Sequence, residues 1–73
     1  MSNIKINSEV AGTVWKVEAA VGQTLEPDDV IMIVECMKME IPVCAPSKGT
    51  IVEISVAEGE LISEEQLLAI MER

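Results

Sequence analysis

Apolar residues fall in short β-rich runs separated by turn signals. Ile4 to Asn7, Gly12 to Val17, Thr24 with Leu25, and Val30 to Cys36 form one series; Glu40 to Cys44, Gly49 to Ile54, Leu61 with Ile62, and Leu67 to Met71 form a second. Their length and β-branched content predict strands. Pro27 followed by Asp28 and Asp29 marks a turn, and Pro46 ends the run that closes at Cys44. Pro42 suits an edge strand, where a missing N–H costs no ladder bond.

The two series are one pattern written twice. Displaced by 37 positions without gaps, "GTVWKVEAAVGQTLEPDDVIMIVE" (12–35) lies over "GTIVEISVAEGELISEEQLLAIME" (49–72). Gly12 falls on Gly49, Thr13 on Thr50, Gly22 on Gly59 and Glu35 on Glu72, with apolar columns Val14/Ile51, Val17/Ile54, Leu25/Ile62 and Ile31/Leu68. Upstream, Ile4 meets Ile41 and Ile6 meets Val43. A unit this small cannot enclose a core, so the copies are expected to pack on each other about a quasi-twofold axis. Eight strands so arranged predict an all-β flattened barrel or sandwich spanning residues 1–73 as one domain. The matched glycines are expected where φ is positive or where a neighbouring backbone comes close.

One segment argues for a helix. "SEEQLLAIMER" offers Ser63 as an N-cap with Gln66 three residues on, followed by helix formers. Its repeat mate "PDDVIMIV" is β-branched and must fill the equivalent half of the core, so strand is the consistent reading.

The repeat also locates an unusual lysine. Residues 36–39 of "VECMKMEIPV" fall at the seam between copies, which makes Met37 and Lys38 the central residues of a hairpin turn. Tight hairpins favour φ > 0 at such positions and normally place Gly, Asn or Asp there. Met and Lys in their stead imply strain of ~1 to 3 kcal/mol, and side chains that serve something besides the fold.

Composition narrows what that lysine does. At 73 residues the chain has little material to wall in a catalytic cleft. Thirteen acidic and five basic residues give a net charge of −8, without a Lys/Arg run, which disfavours nucleic acid and anionic membrane as partners. Histidine is absent and Cys36 and Cys44 are the only cysteines, too few for a zinc site. In a hairpin turning at 37 and 38, Cys44 lies near residue 31, about 15 Å along the strand from Cys36, so free thiols are expected. The first ten residues resemble no signal peptide and no run is long enough to span a bilayer, so a cytoplasmic location is expected. With Trp15 the one aromatic residue, the core must come from Val, Ile, Leu, Met and Ala.

A lysine held on a projecting turn can pair with an anion or be acylated. Schiff-base or acid–base work needs an amine brought down from about 10.4 by burial or a nearby cation, and a turn flanked by Glu35 and Glu40 supplies neither. Acylation by a separate enzyme needs only an accessible amine with recognisable neighbours.

"ECMKME" resembles the attachment motif of biotin carboxyl carrier proteins, and the resemblance extends through "GTVWKV", "VGQTL" and "APSKGTIVEISVAEGELI" to essentially the full chain. It implies a flattened antiparallel β-barrel, or barrel-sandwich hybrid, of two four-stranded sheets, with biotin joined by an amide bond to Lys38. Glu35, Cys36, Met37 and Met39 would flank it for recognition. The implied partners are biotin protein ligase, a biotin carboxylase that uses ATP and bicarbonate to carboxylate biotin, and a carboxyltransferase that receives the carboxyl group. The chain itself would be a non-catalytic carrier, monomeric in isolation. Cys36 departs from the family's usual alanine or serine, and Asp28 and Glu65 stand at turn positions where the family often has glycine. A lipoyl carrier, whose lysine more often follows aspartate and precedes alanine, and an unmodified β adaptor are the rival readings.

Overall fold

The computed structural model describes residues 2–73. It contains the expected eight strands: β1 (Asn3–Asn7), β2 (Gly12–Val17), β3 (Thr24–Leu25), β4 (Val30–Cys36), β5 (Met39–Cys44), β6 (Gly49–Ile54), β7 (Leu61–Ile62) and β8 (Leu67–Glu72). They form two antiparallel four-stranded sheets, β1-β8-β6-β3 and β5-β4-β2-β7. Moving each strand of the first copy to its mate converts one sheet order into the other, so the sequence repeat is a structural twofold. Among the described residues no helix is long and apolar enough to cross a membrane.

The duplication reaches into the irregularities. In β2 and β6 the register skips Trp15 and Val52; in β4 and β8 it skips Ile31 and Leu68, and both pairs are repeat mates. These bulges sharpen the local twist that lets two small sheets close on one another. Val14 with Ile51, Ala19 with Val56, Leu25 with Ile62, Ile31 with Leu68, Met32 with Ala69 and Val34 with Met71 are buried between the sheets. Each fully buried Ile, Leu or Met contributes about 1.5–3 kcal/mol, the main stabilising term for a chain without disulfides. Trp15 is 51% exposed and does not anchor this core.

Loops clasp one half to the other. The N–H of Gly22 donates to Ile51 O and that of Gly59 to Val14 O, both at 2.7 Å, while Ile51 and Val14 return their own N–H groups to Gln23 O and Glu60 O at 2.9 Å. Four turns share one device. In Ala20–Gln23, Glu26–Asp29, Ala57–Glu60 and Ser63–Gln66, the fourth residue's N–H donates to the first carbonyl and its side-chain oxygen accepts the first N–H. The third residue of each is left-handed: Gly22, Asp28, Gly59 and Glu65. The segment after Ser63 is therefore a turn leading into a strand, and the Ser63–Gln66 pattern that reads locally as a helix cap is the closure of that turn.

The glycines divide by role. Gly22 and Gly59 have φ of +92° and +88° with open space around them. On Gly12 a Cβ would collide with the Glu35 carbonyl oxygen, and on Gly49 it would lie 2.9 Å from that of Glu72.

Candidate functional site

The β4–β5 hairpin sets the site. Its last pair is Cys36 with Met39, and Met37 and Lys38 turn the chain with φ of +53° and +65°. Positive φ at both central positions is the turn whose twist matches the strands, and L-residues adopt it at about 1–2 kcal/mol each. The last β4 residue paired to β2 is Glu35, with Thr13, so residues 36–39 extend beyond the neighbouring strand. Pro42 lies on β5, a sheet edge, as its missing donor requires.

The structure brings the sequence-selected residues together around this tip. Met37 is 89% and Met39 65% exposed, so neither thioether fills the core. Lys38 is exposed and makes no ion pair among the described residues. Glu35 and Glu40 stand directly opposite each other, both exposed, one pair behind the turn. Like charges in that relation repel, so the pair does nothing for the hairpin's stability. Cys36 is half-buried and free. Cys44, expected near residue 31, pairs instead with Val30, because the bulge at Ile31 shifts the register by one; its thiol is also free.

Sequence reasoning missed Leu61. It pairs with Thr13 on the strand beside the tip and is 78% exposed. Its repeat mate is the polar Thr24, and that mismatch in an otherwise like-for-like column is the signal that could have found it.

The seam has no second copy. The positions matching Cys36 and Met39 are Arg73 and Ser2, whose backbones pair through Arg73 N–H to Ser2 O at 3.1 Å and Ser2 N–H to Arg73 O at 3.4 Å. The bases of β4 and β5 run by short connections into β3 and β6, which lie at that terminal end, so the tip and the termini occupy opposite poles.

An exposed primary amine on a rigid turn, unpaired and outside any cleft, fits covalent attachment, since acylation removes a charge that nothing here relies on. Comparison with known proteins agrees with that geometry. A family model described as "Biotin-requiring enzyme" matches residues 2–71. A biotin/lipoyl attachment protein of Bacillus subtilis is 35% identical over 63 residues, 86% of each chain. A biotinylated protein of Mycobacterium leprae is 33% identical over 90% of this chain and 93% of its own length. Among solved structures, the urea carboxylase of Kluyveromyces lactis superposes with a TM-score of 0.93 at 32% identity, covering 99% of this chain but 6% of that one. The match runs through both halves of the repeat and across the seam that presents Lys38, and on that ground this chain belongs to the biotin and lipoyl attachment family.

Proposed function

We propose that Lys38 carries biotin in amide linkage and that the domain is a biotin carboxyl carrier, shuttling a carboxyl group from a biotin carboxylase to a carboxyltransferase. The observation that carries this reading is the pair of left-handed residues Met37 and Lys38, the one turn at the seam that has no repeat mate and whose side chains all face solvent. Strain of this kind persists where something other than stability uses the conformation.

Each residue then has a part. The turn holds the Lys38 amine clear of the sheets, so its four methylenes and the cofactor's chain sweep without colliding with the body. Met37 and Met39 offer polarizable, deformable contacts to enzymes that engage the tip. Glu35 gives a recognisable charge beside the amine, and Cys36 keeps a small side chain there. Bound biotin supplies the ureido nitrogen on which the carboxyl group travels. A compact body with a mobile arm holds that group at high effective concentration near two active sites in turn. The net charge of −8 keeps the carrier soluble and steers it toward basic docking faces in a salt-dependent way. The Met-Lys-Met context and the biotinylated relative favour biotin over lipoate.

Intact mass after incubation with biotin, ATP and biotin protein ligase tests this. Wild type should gain one biotin and Lys38→Arg none, with both folded alike. Streptavidin capture of Lys38→Arg, or a lipoyl adduct alone in cells supplied with both cofactors, would overturn the assignment.

A further inference from the structure

The outer strands β1 and β5 each pair on one side only, and a groove of about 240 Å³ lies between them. Repeat mates such as Ile6 and Val43 line its centre, which therefore straddles the twofold. Beyond the centre the lining is one-sided. Ser8, Val10, Val34 and Ile41 continue it, whereas none of their repeat mates does. All four lie toward the tip, since β1 runs that way from the termini and Ile41 pairs with Val34, two positions before Cys36. The duplication accounts for the central part, and only the half nearer Lys38 is extended.

The walls suit a guest that is apolar on one side and amide-like on the other. Val34 is fully buried and forms the floor, while Val10 and Ile41 are half-buried, with part of each side chain open. The free edges of β1 and β5 offer backbone N–H and C=O groups that no ladder uses. Pro42 removes one donor from β5, so a whole strand adds poorly there while a small group still fits. Asn7 gives its side-chain N–H to Glu65 O at 3.1 Å, and its side-chain oxygen remains an acceptor.

We infer that biotin carried on Lys38 folds back into the tip-side half of this groove and rests there when no enzyme holds it. This rests on the carrier reading above. Ile41 is three residues from Lys38, about 10 Å at the rise of a strand. An extended biotinyl-lysine arm, built of bonds near 1.5 Å, places its two-ring head about 14 Å from the Lys38 Cα, so it reaches Ile41 with slack. The groove has the volume of about eight waters, which that head can enter. Its sulfur-bearing ring covers Val10 and Ile41. Its ureido group carries the N–H and C=O of a peptide and meets the strand edge and Asn7 as a peptide would. The occupant is part of the modified chain itself, tethered three residues from the groove. Contacts this few hold the head loosely, as an arm that must serve two active sites requires.

Proton–nitrogen amide spectra test this on the full chain in three forms: unmodified, biotinylated by biotin protein ligase, and acetylated on Lys38. Acetylation removes the same charge but adds no head. Biotin should shift the amides of Val10, Val34 and Ile41 well beyond what acetyl does, while both move residues 37–39. Streptavidin should capture biotin on the wild-type domain about threefold more slowly than on Val10→Ser, which puts the residue found at the repeat mate, Ser47, into the groove wall. Biotin shifts that match the acetyl shifts throughout overturn the inference, as does equal capture of wild type and Val10→Ser. A wild-type chain that takes up no biotin would instead sink the carrier reading, and this inference with it.

Discussion

The two poles of the molecule share a backbone and differ in how it is closed. At the terminal pole, β8 and β1 end as Arg73 and Ser2, held by two backbone hydrogen bonds without a turn. At the other, the matching positions are bridged by Met37 and Lys38 in left-handed conformations. The terminal pole shows that this strand pair needs no tight turn to form, so the strained bridge and its exposed side chains are additions to the fold. Repetition thus separates two demands that most proteins superimpose: what recurs serves the architecture, and what occurs once is not required by it.

Six substitutions sharpen that comparison, followed by urea unfolding with Trp15 fluorescence and circular dichroism. Gly12→Ala forces a methyl into the Glu35 carbonyl and should cost about 3 kcal/mol or prevent folding, against about 1–2 kcal/mol for Gly49→Ala, whose neighbour is further away. Equal losses would mean that the poles are equally tight. Gly22→Val should cost about 2 kcal/mol from its φ of +92° alone, since nothing surrounds the site; an unchanged midpoint would remove the conformational argument. Met37→Asn should gain about 1 kcal/mol while slowing biotinylation, and faster labelling of the more stable variant would contradict a recognition role. Asp28→Gly and Glu65→Gly should each gain about 0.5–1 kcal/mol, because relief of the left-handed strain exceeds the entropy that glycine loses. As repeat mates they should do so alike.

The repeat made most of this fold readable. It assigned all eight strands to within a residue at their ends and overruled the helical look of residues 63–73, since a β-branched mate and a shared core leave one conformation for both copies. It also put Met37 and Lys38 at the turn. The bulges at Trp15, Ile31, Val52 and Leu68 escaped it: each breaks the in–out alternation, burying Ile31 beside Met32 and Leu68 beside Ala69, but runs as continuously apolar as 30–34 and 67–71 have no visible alternation to break. The one-residue error in placing Cys44 follows directly. Leu61 escaped for a related reason. In a two-residue strand, alternation is too short to say which of Leu61 and Ile62 faces in, and the structure buries Ile62. The turn device was half legible: the side chain of Gln66 does reach back to the Ser63 N–H, at 2.8 Å, but a single turn makes the same bond as a helix start.

The pairing of Ser2 with Arg73 gives the domain the form of a cassette. Two ends that emerge side by side, about 5 Å apart as in any antiparallel pair, can be spliced into a surface loop of a host protein through one small gap. Because that graft point is the far end from Lys38, a host of any size could hold the domain without blocking the amine, and the same fold makes up 6% of the urea carboxylase chain it superposes on.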